Sequence, residues 1–166
     1  MPRIAVFAAS AGLAGLLSAC NVSAPVATRP ADASAETRVI AANEIAAGRY
    51  LVEIGGCNDC HTPRYAMTGG AEPPESEWLK GSSEPHTGSW GTSYGKNLRL
   101  AVGRMTEDEW VRLLETGSSL PPMPWPSVRA MAEADKRAIY RYIKSLPGEA
   151  GQPAPAPLPP AASPPA

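Results

Sequence analysis

The chain has 166 residues, 43 % of them hydrophobic, and carries 15 Lys and Arg against 16 Asp and Glu, a formal net charge of −1. That length supports one domain with a modest core and leaves little room for two. The balanced charge offers no basic stripe for nucleic acid and no polybasic patch for anionic lipid, so neither is expected as a partner.

Residues 1–19 read as a secretory signal: Arg3 is followed by an uncharged Ala, Leu, Val and Gly run. The stretch from Ile4 to Ala19 is 16 residues, shorter than the roughly 20 that a spanning helix needs. Leu17 is too bulky for ordinary cleavage three residues before Cys20. Leu17-Ser18-Ala19-Cys20 instead resembles a bacterial lipobox, which implies lipidation of Cys20 and a stable multi-chain anchor. Residues 20–42 are then the lipid anchor and a flexible tether, because Asn21 to Ala42 is rich in Ala, Ser, Thr and Pro and buries little apolar surface.

The first helix is expected from Asn43 to Ile54, with Asn43 as cap, Ala47, Tyr50, Leu51 and Ile54 on one face, and Gly55-Gly56 as the stop. Directly after it comes Cys57-Asn58-Asp59-Cys60-His61. This is the spacing at which two thiols join covalently to haem while the adjacent imidazole reaches the iron. A Cys57–Cys60 disulfide is the plainer alternative. A thioredoxin-like redox pair needs a βαβ setting, and a zinc site needs two further ligands; the sequence signals neither. The odd count of three cysteines is thereby resolved, two for haem and Cys20 for lipid. A covalent cofactor also suits so small a domain, which is poor in aromatics at 6 %.

Residues 62–104 are dense in Gly, Ser and Pro, too long a loop for a compact domain unless it wraps something. A second helix follows from Thr106 to Thr116, opened by the Thr106/Glu109 capping box, striped by Trp110, Leu113 and Leu114, and stopped at Gly117. A third spans about Glu133 to Leu146, with Ile139, Tyr142, Ile143 and Leu146 on one face and Pro147-Gly148 at its end. From 148 to 166 the chain reads as a solvated, disordered Pro/Ala-rich tail.

The iron's sixth position has five candidates: Met67, Met105, Met123, Met131 and His86. Met123 is preferred because Pro121-Pro122-Met123-Pro124-Trp125-Pro126 is a stiff loop between two helices that presents one side chain at little entropic cost. His86 is the rival.

GRYLVEIGGCNDCH, the downstream PPMPW and the closing AIYRYIKSLP together resemble the class I monohaem cytochromes c, particularly bacterial dehydrogenase-associated ones, over residues 43–147. The resemblance implies an all-α fold of three main helices around one covalent haem c, with long haem-wrapping loops. It implies that Tyr94, Asn97 and Trp90 face the haem propionates. With Met123 and His61 both on the iron, the expected function is one-electron transfer and not catalysis, between a dehydrogenase or respiratory complex and an oxidase or cytochrome acceptor. The alternative is a haem enzyme or gas sensor with an open sixth site. The expected location is the bacterial cell envelope, lipid-anchored and facing the periplasm.

Overall fold

The computed structural model describes residues 37–161. The predicted signal, Cys20, most of the tether and the last five residues lie outside the described residues.

Helix α1 (Glu44–Ile54) starts where Asn43, in extended backbone, accepts from the Ala46 amide. It ends at Gly55, whose N–H returns to the Leu51 carbonyl. Helix α2 (Cys57–His61) is a single turn carrying the CNDCH motif. Two short strands follow, β1 (His86–Gly88) and β2 (Gly91–Ser93), paired antiparallel with His86 opposite Ser93 and Gly88 opposite Gly91. Helix α3 (Leu98–Gly103) is capped by Asn97. Helix α4 (Glu107–Thr116) opens on the full Thr106/Glu109 capping box and stops at Gly117. Helices α5 (Trp125–Ala130) and α6 (Glu133–Ser145) complete the fold.

The three predicted helices are therefore present within a residue or two, as α1, α4 and α6. The hairpin and the short helices α2, α3 and α5 are additions, and the domain is mostly helical. Helix α1 packs chiefly on α6, which also takes α4 and α3 against it. Ala47, Leu51 and Val52 from α1, with Ala138, Ile139, Tyr142 and Ile143 from α6, form the centre of the core. Trp110 and Leu114 of α4 close one side of it, and Trp78 and Leu79 another. Each of the larger aliphatic side chains among these contributes about 1.5–3 kcal/mol on burial. The faces are narrower than their periodicity suggested: Tyr50 and Ile54 are exposed on α1, and Leu113 is on the rim of α4.

Around this core the loop 62–97 is held by buried polar groups. Arg99, 6 % exposed, donates to the carbonyls of Trp78, Ser76, Glu75 and Pro147 at 2.7, 2.9, 3.3 and 2.7 Å. One guanidinium thus joins the loop to the end of α6, using the fixed fork of donors that only Arg has. Upstream, Val39 donates its amide to Asp135 at 2.9 Å and packs against the core, so the domain begins a few residues before Asn43.

The tail over residues 149–161 is mostly exposed. Its backbone is tied at Ala150, Gln152 and Leu158.

Candidate haem site

Gly56 has a left-handed backbone that turns the chain from α1 into α2 and sets Cys57, Cys60 and His61 on successive parts of one helical turn. Cys57 and Cys60 are both free thiols, half-buried, so the disulfide alternative is not formed. Burial pushes the Cys57 thiol up to about 11, and burial also raises that of Cys60. At neutral pH both are protonated, unlike the acidified cysteines of redox-active pairs.

His61 is 9 % exposed, and its Nδ1 lies 2.7 Å from the Lys96 carbonyl oxygen. Since that oxygen only accepts, Nδ1 carries the proton and donates, leaving the Nε2 lone pair for a metal. Burial lowers the imidazole pKa, outweighing the opposite pull of the Lys96 carbonyl bond and helped by the charges of His86 and Lys96, which favours the neutral ring. A neutral ring oriented through its other nitrogen by a carbonyl is the arrangement that metal-bound histidines adopt.

The stretch Gly91–Asn97 assembles the site. Ser93 donates its hydroxyl to the Pro121 carbonyl, joining the hairpin to the methionine loop. Gly95 lies against the Cys60 carbonyl so closely that no side chain fits between them. Its own carbonyl accepts from Ser82 at 2.9 Å. Lys96 then supplies the oxygen for His61. Met123 sits half-buried against the core, on a loop closed by Trp125, whose indole donates to Ser119 at 3.1 Å. Met105 and Met131 also pack on the core, while Met67 is 75 % exposed. His86 is on β1, opposite Ser93.

The residues suit a haem. Four tryptophans give a direct comparison: Trp78, Trp110 and Trp125 donate their indole N–H to Pro73, Lys136 and Ser119. The Trp90 indole nitrogen is buried with no partner among the described residues, as is the Asn58 amide nitrogen. A buried donor without an acceptor costs about 1–3 kcal/mol, so Trp90 calls for an acceptor such as a carboxylate. Tyr94 is half-buried in the same stretch. Asn97 has a different job from the one the resemblance implied. Its side-chain oxygen caps α3 by accepting from Leu100 at 2.9 Å, and its two amide hydrogens go to the Ala150 and Gln152 carbonyls, leaving none for a propionate. Among the described residues no group of three or more His, Cys, Asp or Glu comes together to hold a metal, so zinc has no ligand set here.

The CNDCH motif is marked in the sequence, whereas the Lys96 carbonyl and the Ser93–Pro121 bond are not, because backbone acceptors leave no mark in residue type.

The chain is homologous to cytochrome c subunits of bacterial dehydrogenases. It is 33 % identical over 114 residues to the gluconate 2-dehydrogenase cytochrome c subunit of Pantoea cypripedii, covering 61 % of this chain and 26 % of that one. It is 31 % identical over 113 residues to the fructose dehydrogenase cytochrome subunit of Gluconobacter japonicus, covering 62 % and 22 %. It is 32 % identical over 108 residues to the alcohol dehydrogenase (quinone) cytochrome c subunit of Komagataeibacter europaeus, covering 58 % and 20 %. The chain thus spans about a quarter or less of the length of these curated relatives. No protein-family model and no solved structure matches it.

Proposed function

We propose that the chain is a one-electron carrier of the bacterial cell envelope, with one haem c joined to Cys57 and Cys60 and iron ligands from His61 and Met123. The carrying observation is the His61 ring: buried, neutral, its Nδ1–H spent on the Lys96 carbonyl at 2.7 Å, and one residue from a free thiol. When bound there, the haem supplies reversible Fe(III)/Fe(II) exchange, at a potential raised by a thioether ligand.

The chain's own residues do the positioning. Lys96 fixes the imidazole, the Ser93–Pro121 bond and Trp125 hold the Met123 loop, and Trp90 offers its indole N–H to a propionate. In this reading α1, α4 and α6 are the three main helices of the class I arrangement, and the loops 62–97 and 117–124 wrap the haem. Were His61 and Met123 both to hold the iron, no position would remain for substrate, and the chain would carry electrons without catalysing a reaction of its own.

The relatives' names support a dehydrogenase as electron donor. An oxidase or another cytochrome is the acceptor we propose, each met through a small transient contact. The Leu17–Cys20 motif supports anchoring by lipid with the domain facing the periplasm.

The test is the optical spectrum of the wild type beside Met123→Ala. A low-spin spectrum with a weak near-infrared methionine band, lost in the variant, is expected. An unchanged band would remove Met123 and leave another ligand, His86 first. A high-spin spectrum with carbon monoxide binding by the reduced protein would support the haem enzyme or gas sensor instead. For the anchor, Cys20→Ala is expected to release the protein from the membrane fraction.

A further inference from the structure

The proline-rich end of the described chain crosses the haem-site stretch at two places. At the first, the Asn97 amide donates to the carbonyls of Ala150 and Gln152 at 2.7 and 3.0 Å. At the second, Thr92 and Leu158 exchange both backbone hydrogen bonds, each 2.9 Å long. Strand β2 therefore has a partner on both edges, β1 on one and Leu158 on the other.

The crossing is close. Gly91 has a φ of 98°, and a Cβ there would run into the Leu158 carbonyl oxygen and lie 2.7 and 2.8 Å from the backbone of Pro159 and Pro160. Only glycine tolerates both that backbone and that contact. The prolines of the tail suit the task, because a chain with fixed φ loses little entropy when it is laid out straight. A hairpin of two three-residue strands is marginal alone, so an additional strand contact matters to it.

That hairpin turns at Ser89 and Trp90, and Trp90 carries the indole N–H that has no partner among the described residues, while the other three tryptophans are satisfied. We infer that residues 150–158 form a strap that holds the 86–93 hairpin and so positions Trp90 toward the cofactor, with Asn97 and Gly91 as its positioning residues. The inference rests on the haem reading above. An indole N–H donated to a propionate stabilises the carboxylate anion, lowering its affinity for protons, and offsets its negative field at the iron. Were the strap to slacken, the turn would drift, a propionate held by Trp90 would bind protons at higher pH, and the oxidised state would gain relative to the reduced.

The test uses the full-length haem-loaded protein and three variants. Asn97→Asp keeps an oxygen to cap α3 but loses both donors to the strap. Leu158→Pro removes one of the two donors of the other contact without adding charge, which separates a slackened strap from a new carboxylate. Trp90→Phe removes the indole N–H itself. Amide exchange at Thr92 is expected to speed up about five- to tenfold in both strap variants, the loss expected for one hydrogen bond. The midpoint potential is expected to fall, and its pH-dependent step to move to higher pH, in both strap variants and in Trp90→Phe alike. Faster exchange with a wild-type potential profile would overturn the inference, since the tail would then be only a tether. No shift in Trp90→Phe, with haem covalently in place, would show that Trp90 does not meet a propionate and would overturn it too. Haem-free protein in every variant and in the wild type would instead overturn the cofactor reading beneath it.

Discussion

Replacing Gly95 with alanine tests whether the site stretch is held as tightly as the structure shows. The new Cβ would overlap the Cys60 carbonyl oxygen, lie 2.6 Å from the Cys60 carbonyl carbon and stand 3.3 Å from the His61 Cα, all backbone atoms. Carbon atoms pack comfortably at about 3.5–4.0 Å, so the segment after β2 and helix α2 must part by roughly 1 Å. Overpacking of this kind costs about 1–3 kcal/mol. The displacement also falls one residue from Lys96, whose carbonyl holds His61 at 2.7 Å. Losing that bond adds about 1 kcal/mol, for a total near 2–4 kcal/mol and a drop in melting temperature of roughly 10 °C for a domain of this size. Chemical denaturation of the haem-loaded protein measures the first effect. A fall in midpoint potential or in haem-loaded yield, beyond the stability loss, reports the misoriented imidazole. Unchanged stability with an unchanged potential would refute the close packing of Gly91–Asn97 on the motif.

Arg99→Met is expected to destabilise by about 3 kcal/mol or more, because it strands three loop carbonyls and that of Pro147, which one buried guanidinium now satisfies; thermal melting checks this, and Arg99→Lys should recover only part of the loss. Glu107 bridges α4 to Arg141 and Arg137 on α6 at 2.8 and 3.2 Å, and the hydrogen bond from Arg141, ahead of that from Arg137, holds its carboxyl below the usual carboxylate value. A depressed pKa gives stability that is complete above the unfolded value near 4.5 and lost as pH falls through the folded one. Unfolding free energy measured between pH 6 and 3 should therefore decline less steeply in Glu107→Gln, and parallel slopes would count against the bridge.

What could be read from the sequence followed from local physics. Asn43, Thr106 with Glu109, and Gly117 act on the nearest turn of helix, so residue type alone placed the ends of α1 and α4. The CNDCH spacing stands out for the same local reason, because the proposed covalent attachment needs two thiols and an imidazole at fixed spacing. Tertiary backbone contacts were not visible. Asn97 resembled a cofactor contact, yet it caps α3 and clamps a tail more than fifty residues away. Helix α3 is six residues long, too short for its periodicity to stand out. The bridge from Thr92 to Leu158 uses only N–H and C=O groups, which every residue but proline possesses. Nothing near Arg99 in sequence shows that four carbonyls converge on it.

The most direct measurement is the intact mass and the alkaline pyridine spectrum of the protein purified from cells able to mature c-type cytochromes, beside Cys57→Ser/Cys60→Ser. The expected result is one haem per chain that survives denaturation, reduced and reoxidised by a single electron, and absent from the double variant. A colourless protein whose two thiols both remain open to alkylation would contradict the account.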